Sequence, residues 1–156
     1  MNDGIDSLIF KLERLVRDGS NEPVETDVYE LKPVPSLGSA WLTIQESANA
    51  FLNTRGGVLI LGIKENTGAK KTASWRRYEF TGWSENNEEN VKRIAKVFID
   101  QEGHSLDLSD RFRPLVIRSF LNGQVALQYV DELPACSVST AVAQIDPGIK
   151  KQLPPL

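Results

Sequence analysis

The sequence predicts an α+β domain: a mixed, mostly antiparallel sheet of about five strands packed against about three helices. Three observations predict it. Apolar residues recur at helical spacing near the N-terminus and again between Ser39 and Thr54. An unbroken apolar run, Val58 to Ile63, follows the second helix directly after Gly56-Gly57, as expected of a strand covered on both faces. Further on, two β-rich runs, Arg113 to Phe120 and Gln124 to Val130, flank Asn122-Gly123, a hairpin signal.

Each element has its own warrant. Ile5, Leu8, Ile9, Leu12, Leu15 and Val16 form one helical stripe, and Gly19 supplies its stop. A polar loop over residues 20–27 leads to a short β-rich segment, Val28 to Lys32, which Pro33 and Pro35 end. In the helix Ser39 to Thr54, Trp41, Ile44, Ala48, Phe51 and Leu52 make the apolar face, while Gln45, Glu46, Asn49 and Asn53 make the polar one. Gly56 and Gly57 permit a turn with positive φ. Residues 64–75 read as a basic loop and Arg77 to Trp83 as a strand. A third helix, capped by Ser84 or Asn86, is expected to run to about Gln101, with Val91, Ile94, Ala95 and Phe98 facing inward. The order is helix, strand, helix, strand, strand, helix, strand, strand, in one domain over residues 1–134. Residues 135–156, with Pro147, Pro154 and Pro155, read as a loose tail or a cut continuation of that domain.

Composition bounds the function. At 156 residues, 40% hydrophobic and 25% charged, the chain falls in the range of single globular domains. Such a chain buries about two thirds of its unfolded surface and needs neither disulfides nor metal to fold. Cys136 stands alone, and no apolar run approaches the roughly 20 residues that span a bilayer. With no basic start or apolar core at Met1-Asn2-Asp3-Gly4, the sequence reads as a soluble cytoplasmic protein. A net charge of -3 weighs against strong non-specific DNA binding by the whole surface, though not against a local basic face. That face is expected in the loop Lys64 to Tyr78, where Lys64, Lys70, Lys71, Arg76 and Arg77 surround Trp75 and Tyr78 and only Glu65 opposes them. Cations there would neutralise phosphates and aromatic rings would stack on unpaired bases; the alternative is a solvated loop with its rings on the sheet.

Several chemistries are excluded. Gly62 to Thr72 is not a P-loop: Gly62 and Gly68 are one residue too far apart, and Ala69 stands where Lys must follow. His104 and Cys136 lack the neighbours of a zinc site or a nucleophile–base pair. Trp41, Trp75 and Trp83 read as core or half-buried residues. Asn49 and Asn53 read as caps of their helix end, and Arg55 as a surface residue within reach of phosphate.

Two segments together carry a resemblance. Glu25, Glu30 and Lys32 form an acidic-acidic-basic pattern, and Ala50, Phe51, Asn53, Thr54, Gly56, Gly57, Gly62 and Ile63 form a helix end, diglycine, strand and Gly-hydrophobic pair. In this the chain resembles the Schlafen-type AlbA-like domain, a bacterial and eukaryotic family that carries DNA-binding and divergent-ATPase labels. The likeness runs from about Glu25 to Pro134. It departs in a longer basic insertion after Ile63, and in lacking the family's closing Tyr-x-Arg-x-Gly strand before Leu156. It implies a fold in which Glu25, Glu30 and Glu65 converge at one end of the sheet, and some eukaryotic members use such a trio for metal-dependent RNA cleavage. On that reading Mg²⁺ or Mn²⁺ would be the cofactor and the three carboxylates its ligands; otherwise they are surface acids, with Glu30 facing Lys32, and no cofactor is expected. The primary expectation is a non-catalytic nucleic-acid-binding module, from or related to a transcriptional regulator. It would bind DNA or RNA weakly and salt-dependently through Lys64, Lys70, Lys71, Trp75, Arg76 and Arg77. Lys32, Asn53, Thr54, Gly56, Gly57 and Gly62 would hold the motif's shape. A protein-interaction or homo-oligomerisation domain is the remaining alternative.

Overall fold

The computed structural model describes residues 2–24, 28–35, 41–68, 72–100, 102–134 and 144–145. Helix α1 (Asn2–Asp18) comes first. Its buried stripe, Ile5, Ile9, Leu12 and Leu15, lies within one face, and each such burial stabilises by about 1.5–3 kcal/mol. It ends where sequence expects: Gly19 takes φ 66°. The Gly19 and Ser20 N–H groups then close on Val16 O and Leu15 O at 3.3 and 3.0 Å, which satisfies carbonyls the helix leaves open.

Strand β1 (Tyr29–Lys32), helix α2 (Trp41–Leu52) and strand β2 (Gly57–Leu61) form a β-α-β unit, with β1 and β2 parallel and Tyr29 opposite Val58. Strands β3 (Ile63–Glu65) and β4 (Tyr78–Phe80) pair as an antiparallel hairpin. Short helix α3 (Glu88–Arg93) precedes β5 (Phe98–Ile99) and β6 (Ser105–Leu106). Strands β7 (Val116–Phe120), β8 (Gly123–Val130) and β9 (Gln144–Ile145) complete the set. The main sheet is mixed, in the order β1-β2-β8-β7, and β6-β5-β9 make a small second sheet. The fold is therefore α+β, as the sequence predicts.

Both faces of the sheet are covered, and β2 shows how. Val58 and Ile60 join α1, Phe120, Val125 and Leu127 in one core; Leu59 and Leu61 join α2, α3, Ala126 and Val130 in the other. Two-residue alternation sends successive side chains to opposite cores, so every residue from Val58 to Leu61 is buried.

Five expectations need correction. The apolar run 58–63 is not one strand: Gly62, at φ 117°, breaks it. Its carbonyl accepts the N–H groups of Thr81 and Gly82 at 2.8 and 2.9 Å, so β3 turns away into its own hairpin. The expected strand Arg77 to Trp83 is correspondingly only three residues long, Tyr78–Phe80. The third helix also stops early. A 3₁₀ turn at Ile94–Lys96 replaces its last turn, and Phe98 lies in β5, paired with Leu106 and Ile145. Val97-Phe98-Ile99 is a β-favouring triplet, and strand pairing overrides the helical stripe there. Gln45, placed on the polar face by its residue type, is only 6% exposed, and its Oε1 has no hydrogen-bond partner among the described residues. Lastly, the β7–β8 turn is Leu121-Asn122, because Phe120 pairs with Gly123. A turn centred on Asn122-Gly123 would shift the pairing by two and keep every side chain on its face, so the choice lies with other contacts. Phe80 packs over Gly123, where a Cβ would come within 2.9 Å of the ring. Glu13 Oε2 accepts the Leu121 N–H at 2.9 Å, although Leu121 sits at the unfavourable φ of 51°.

Candidate nucleic-acid interface

The diglycine turn sets the positions of everything downstream. The Gly56 N–H closes on Phe51 O at 2.9 Å, and Gly56 has φ 79°, with Val130 O only 2.7 Å from where a Cβ would stand. Gly57 is needed for a different reason than expected. Its φ is not positive, but a Cβ there would lie 2.3 Å from the Phe51 ring. Asn53 caps the helix end as expected, on Asn49, and Thr54 joins it. Asn53 Nδ2 donates to Asn49 O at 3.0 Å, and Thr54 Oγ1 donates to Ala50 O at 2.7 Å.

From this frame the β3–β4 hairpin projects. Ile63 is fully buried in the α1-side core, while Lys64, opposite Glu79, is exposed. Lys64 has no ion pair among the described residues. Tyr78, 4% exposed, is the pillar of the hairpin. Its hydroxyl accepts the Val24 N–H at 2.8 Å and donates to Glu22 O at 3.0 Å. Burial of the ring pushes the Tyr78 hydroxyl above its usual pKa of 10.0, against the opposing Val24 N–H.

Arg77 is the clamp. Its N–H donates to Asn21 Oδ1 at 2.8 Å and its Nε to Asn21 O at 2.9 Å. Its guanidinium pairs with Glu65 at 3.6 Å and lies 5.8 Å from the Trp75 ring centre. Arg76, exposed, folds back on its own loop, donating to Ala73 O and Trp75 O at 3.1 and 2.9 Å. Trp75 is half-buried. Of the six residues expected to face nucleic acid, the structure thus brings Lys64, Trp75, Arg76 and Arg77 onto one hairpin. Lys70 and Lys71 lie outside the described residues.

The acidic residues are partly brought together. Glu30 and Glu65 line one narrow cleft of about 80 Å³, with Leu8, Val24, Tyr29 and Leu31. Each carboxylate already faces a cation: Glu30 pairs with Lys32 at 3.7 Å and Glu65 with Arg77. Glu25 follows Val24 in the chain but lies outside the described residues, as does Cys136. A sequence-silent cluster appears elsewhere. Asp100, Glu102 and His104 place their ligand atoms within 4.8 Å of one another. Asp100 Oδ1 accepts the Glu102 and His104 N–H groups at 2.9 Å, which holds its carboxyl below the usual range, chiefly through the His104 N–H. That arrangement is a loop-closing turn in which Asp100 is half-buried and Glu102 and His104 are exposed.

The Asn21–Arg77 clamp and the Glu13–Leu121 contact are the site features the sequence does not signal, because both join residues more than 50 positions apart with no periodicity between them.

No family model matches the chain, and no curated protein matches it. Among solved structures, it is similar to the N-terminal domain of a RecG-related protein from Nitrosomonas europaea, named as a candidate ATP-dependent DNA helicase and solved by solution NMR. The two share 18% identity with a TM-score of 0.50, over 80% of this chain and 72% of that one. At that identity the likeness is one of fold alone. Among the described residues no helix is long and apolar enough to cross a membrane.

Proposed function

We propose that this chain is a nucleic-acid-binding regulatory module of Schlafen AlbA-like type, from or related to a transcriptional regulator. The observation that carries the reading is the β3–β4 hairpin: it sets Arg76 and Arg77 against Trp75, on a base bonded through Tyr78 and Asn21, with Lys64 exposed on its first strand. A rigid base positions cations without the entropy cost of ordering a free loop on binding. The family motif supports the reading, as does the fold shared with a domain from a helicase-named protein. Binding would rest on phosphate neutralisation, with little base readout. The test is fluorescence anisotropy of a labelled oligonucleotide across salt. Three single-strand phosphate contacts predict about a 20-fold loss of affinity between 50 and 200 mM salt. Affinity that stays flat over that range rejects phosphate contact as the basis.

A second reading, metal-dependent RNA cleavage, is favoured by the cleft that Glu30 and Glu65 share. The donor set fits a divalent ion poorly, since both carboxylates are already paired with cations. Incubating folded RNA with Mg²⁺ or Mn²⁺ tests it: cleavage must appear in the wild type and vanish in Glu30→Ala for the reading to stand.

A further inference from the structure

We infer that the outer face of α1 extends the hairpin surface, and that Phe10, Arg14, Arg17 and Arg76 together form a ridge for single-stranded nucleic acid. The inference rests on the nucleic-acid reading above and adds a second element and a strandedness to it.

The ridge follows from helical geometry. Positions 10, 14 and 17 share one face of a helix, i, i+4 and i+7, on the side away from the buried stripe Ile5, Ile9, Leu12 and Leu15. Phe10 is 70% exposed, the most exposed large apolar side chain described. Arg14 and Arg17 are exposed as well and have no ion pair or hydrogen bond among the described residues. The described acids nearby on α1 make no ion pair with them: Glu13 accepts the Leu121 N–H and Asp6 pairs with Arg118 at 2.7 Å. Exposed Asp18 remains at the helix end, and Glu22 beyond it pairs with Lys11.

The end of the ridge meets the hairpin. A Cβ on Gly19 would stand 3.1 Å from Arg76 Nε, so that side chain lies against the turn that closes α1. Asn21, Glu22 and Val24, just beyond, are bonded to Arg77 and Tyr78. These contacts therefore join the end of α1 to the hairpin.

The aromatic component selects the strandedness. A duplex keeps its base faces stacked, whereas an unpaired base offers its face to an exposed ring. Phe10 beside two unpaired guanidinium groups, and Trp75 beside Arg76, repeat the aromatic-plus-cation pattern that binds single strands. An acidic protein partner would use the cations and leave Phe10 without a role.

The experiment uses the full chain with a labelled 12-nucleotide single strand, the matching duplex and polyglutamate as competitor. The variants are Arg14→Glu with Arg17→Glu, Phe10→Ala, and Lys64→Glu, each checked by thermal melting. The inference expects preference for the single strand and at least about a fivefold loss in Phe10→Ala, the lower end for a stacked base. The double arginine variant should flatten the log–log salt slope by about 1.4, two phosphate contacts' worth. If Lys64→Glu weakens binding while both ridge variants bind as wild type, the ridge is overturned and the hairpin reading survives. If no oligonucleotide binds, both fall. Equal binding of duplex with no effect of Phe10→Ala, or displacement by polyglutamate as efficient as by unlabelled strand, also overturns the ridge.

Discussion

At the scale of single residues, the two adjacent glycines do different work. Gly56 is required by its φ of 79°, Gly57 by the Phe51 ring. Gly57→Ala forces a buried ring to shift and should cost about 1–3 kcal/mol. Gly68→Ala, where a Cβ meets nothing within 4 Å, should be near neutral. Thermal melts of the two variants check the contrast; equal loss would mean that crowding at Phe51 is not the reason for Gly57. Tyr78 offers a pH test. Its folded-state pKa is raised by burial, so the folded state holds the phenolic proton more tightly than the unfolded chain. That contribution is fully present below about pH 10 and is lost as pH climbs through the raised value. Tyr129 is raised for the same reason and adds to the decline. Urea midpoints should therefore hold level from neutral pH and fall above about pH 10. Tyr78→Phe should lose about 1–2 kcal/mol at neutral pH, because the Val24 N–H loses its acceptor, and should show a shallower alkaline decline.

At the scale of elements, the hairpin depends on the loop that precedes β1. Asn21 receives two donors from Arg77, and removing its side chain removes one of them. Asn21→Ala should cost about 1 kcal/mol and should speed proteolysis within residues 66–77 while the rest of the chain stays resistant. Uniform protection in both proteins would show that the clamp is not what orders the hairpin. The same elements show what a sequence reveals. Helix α1, the diglycine turn and the buried strand β2 are legible because periodicity and glycine chemistry act locally. The break at Gly62 is not, since a glycine inside an apolar run is compatible with a continuous strand until Thr81 and Gly82 claim its carbonyl. The end of α3 is missed because Phe98 suits both a helical stripe and a strand, and only pairing with Leu106 and Ile145 decides between them. Asn122-Gly123 correctly marks a hairpin but misplaces its centre, because Phe80 and Glu13 select the register from far away in the chain.

At the scale of the whole molecule, two cores share one sheet, and β2 serves both. The α1-side core also carries the hairpin through Ile63 and Tyr78, so the candidate interface is fastened to the fold's centre. The acidic cleft was partly legible: the resemblance placed Glu30 and Glu65 together, as they are. The surface-acid alternative also gives Glu30 its partner Lys32, whereas the pairing of Glu65 with Arg77 has no signal in the sequence. The basic loop was legible as composition, but the structure divides its arginines, with Arg77 turned to Asn21 and Glu65 and Arg76 resting against α1. The most direct measurement of the central claim is a backbone amide NMR titration with a short single strand at low salt. Shifts concentrated at Lys64 and Thr72 to Arg77, continuing onto Phe10, Arg14 and Arg17, are the predicted result. Shifts confined to the far loop around Asp100 to His104, or none at all, would contradict it.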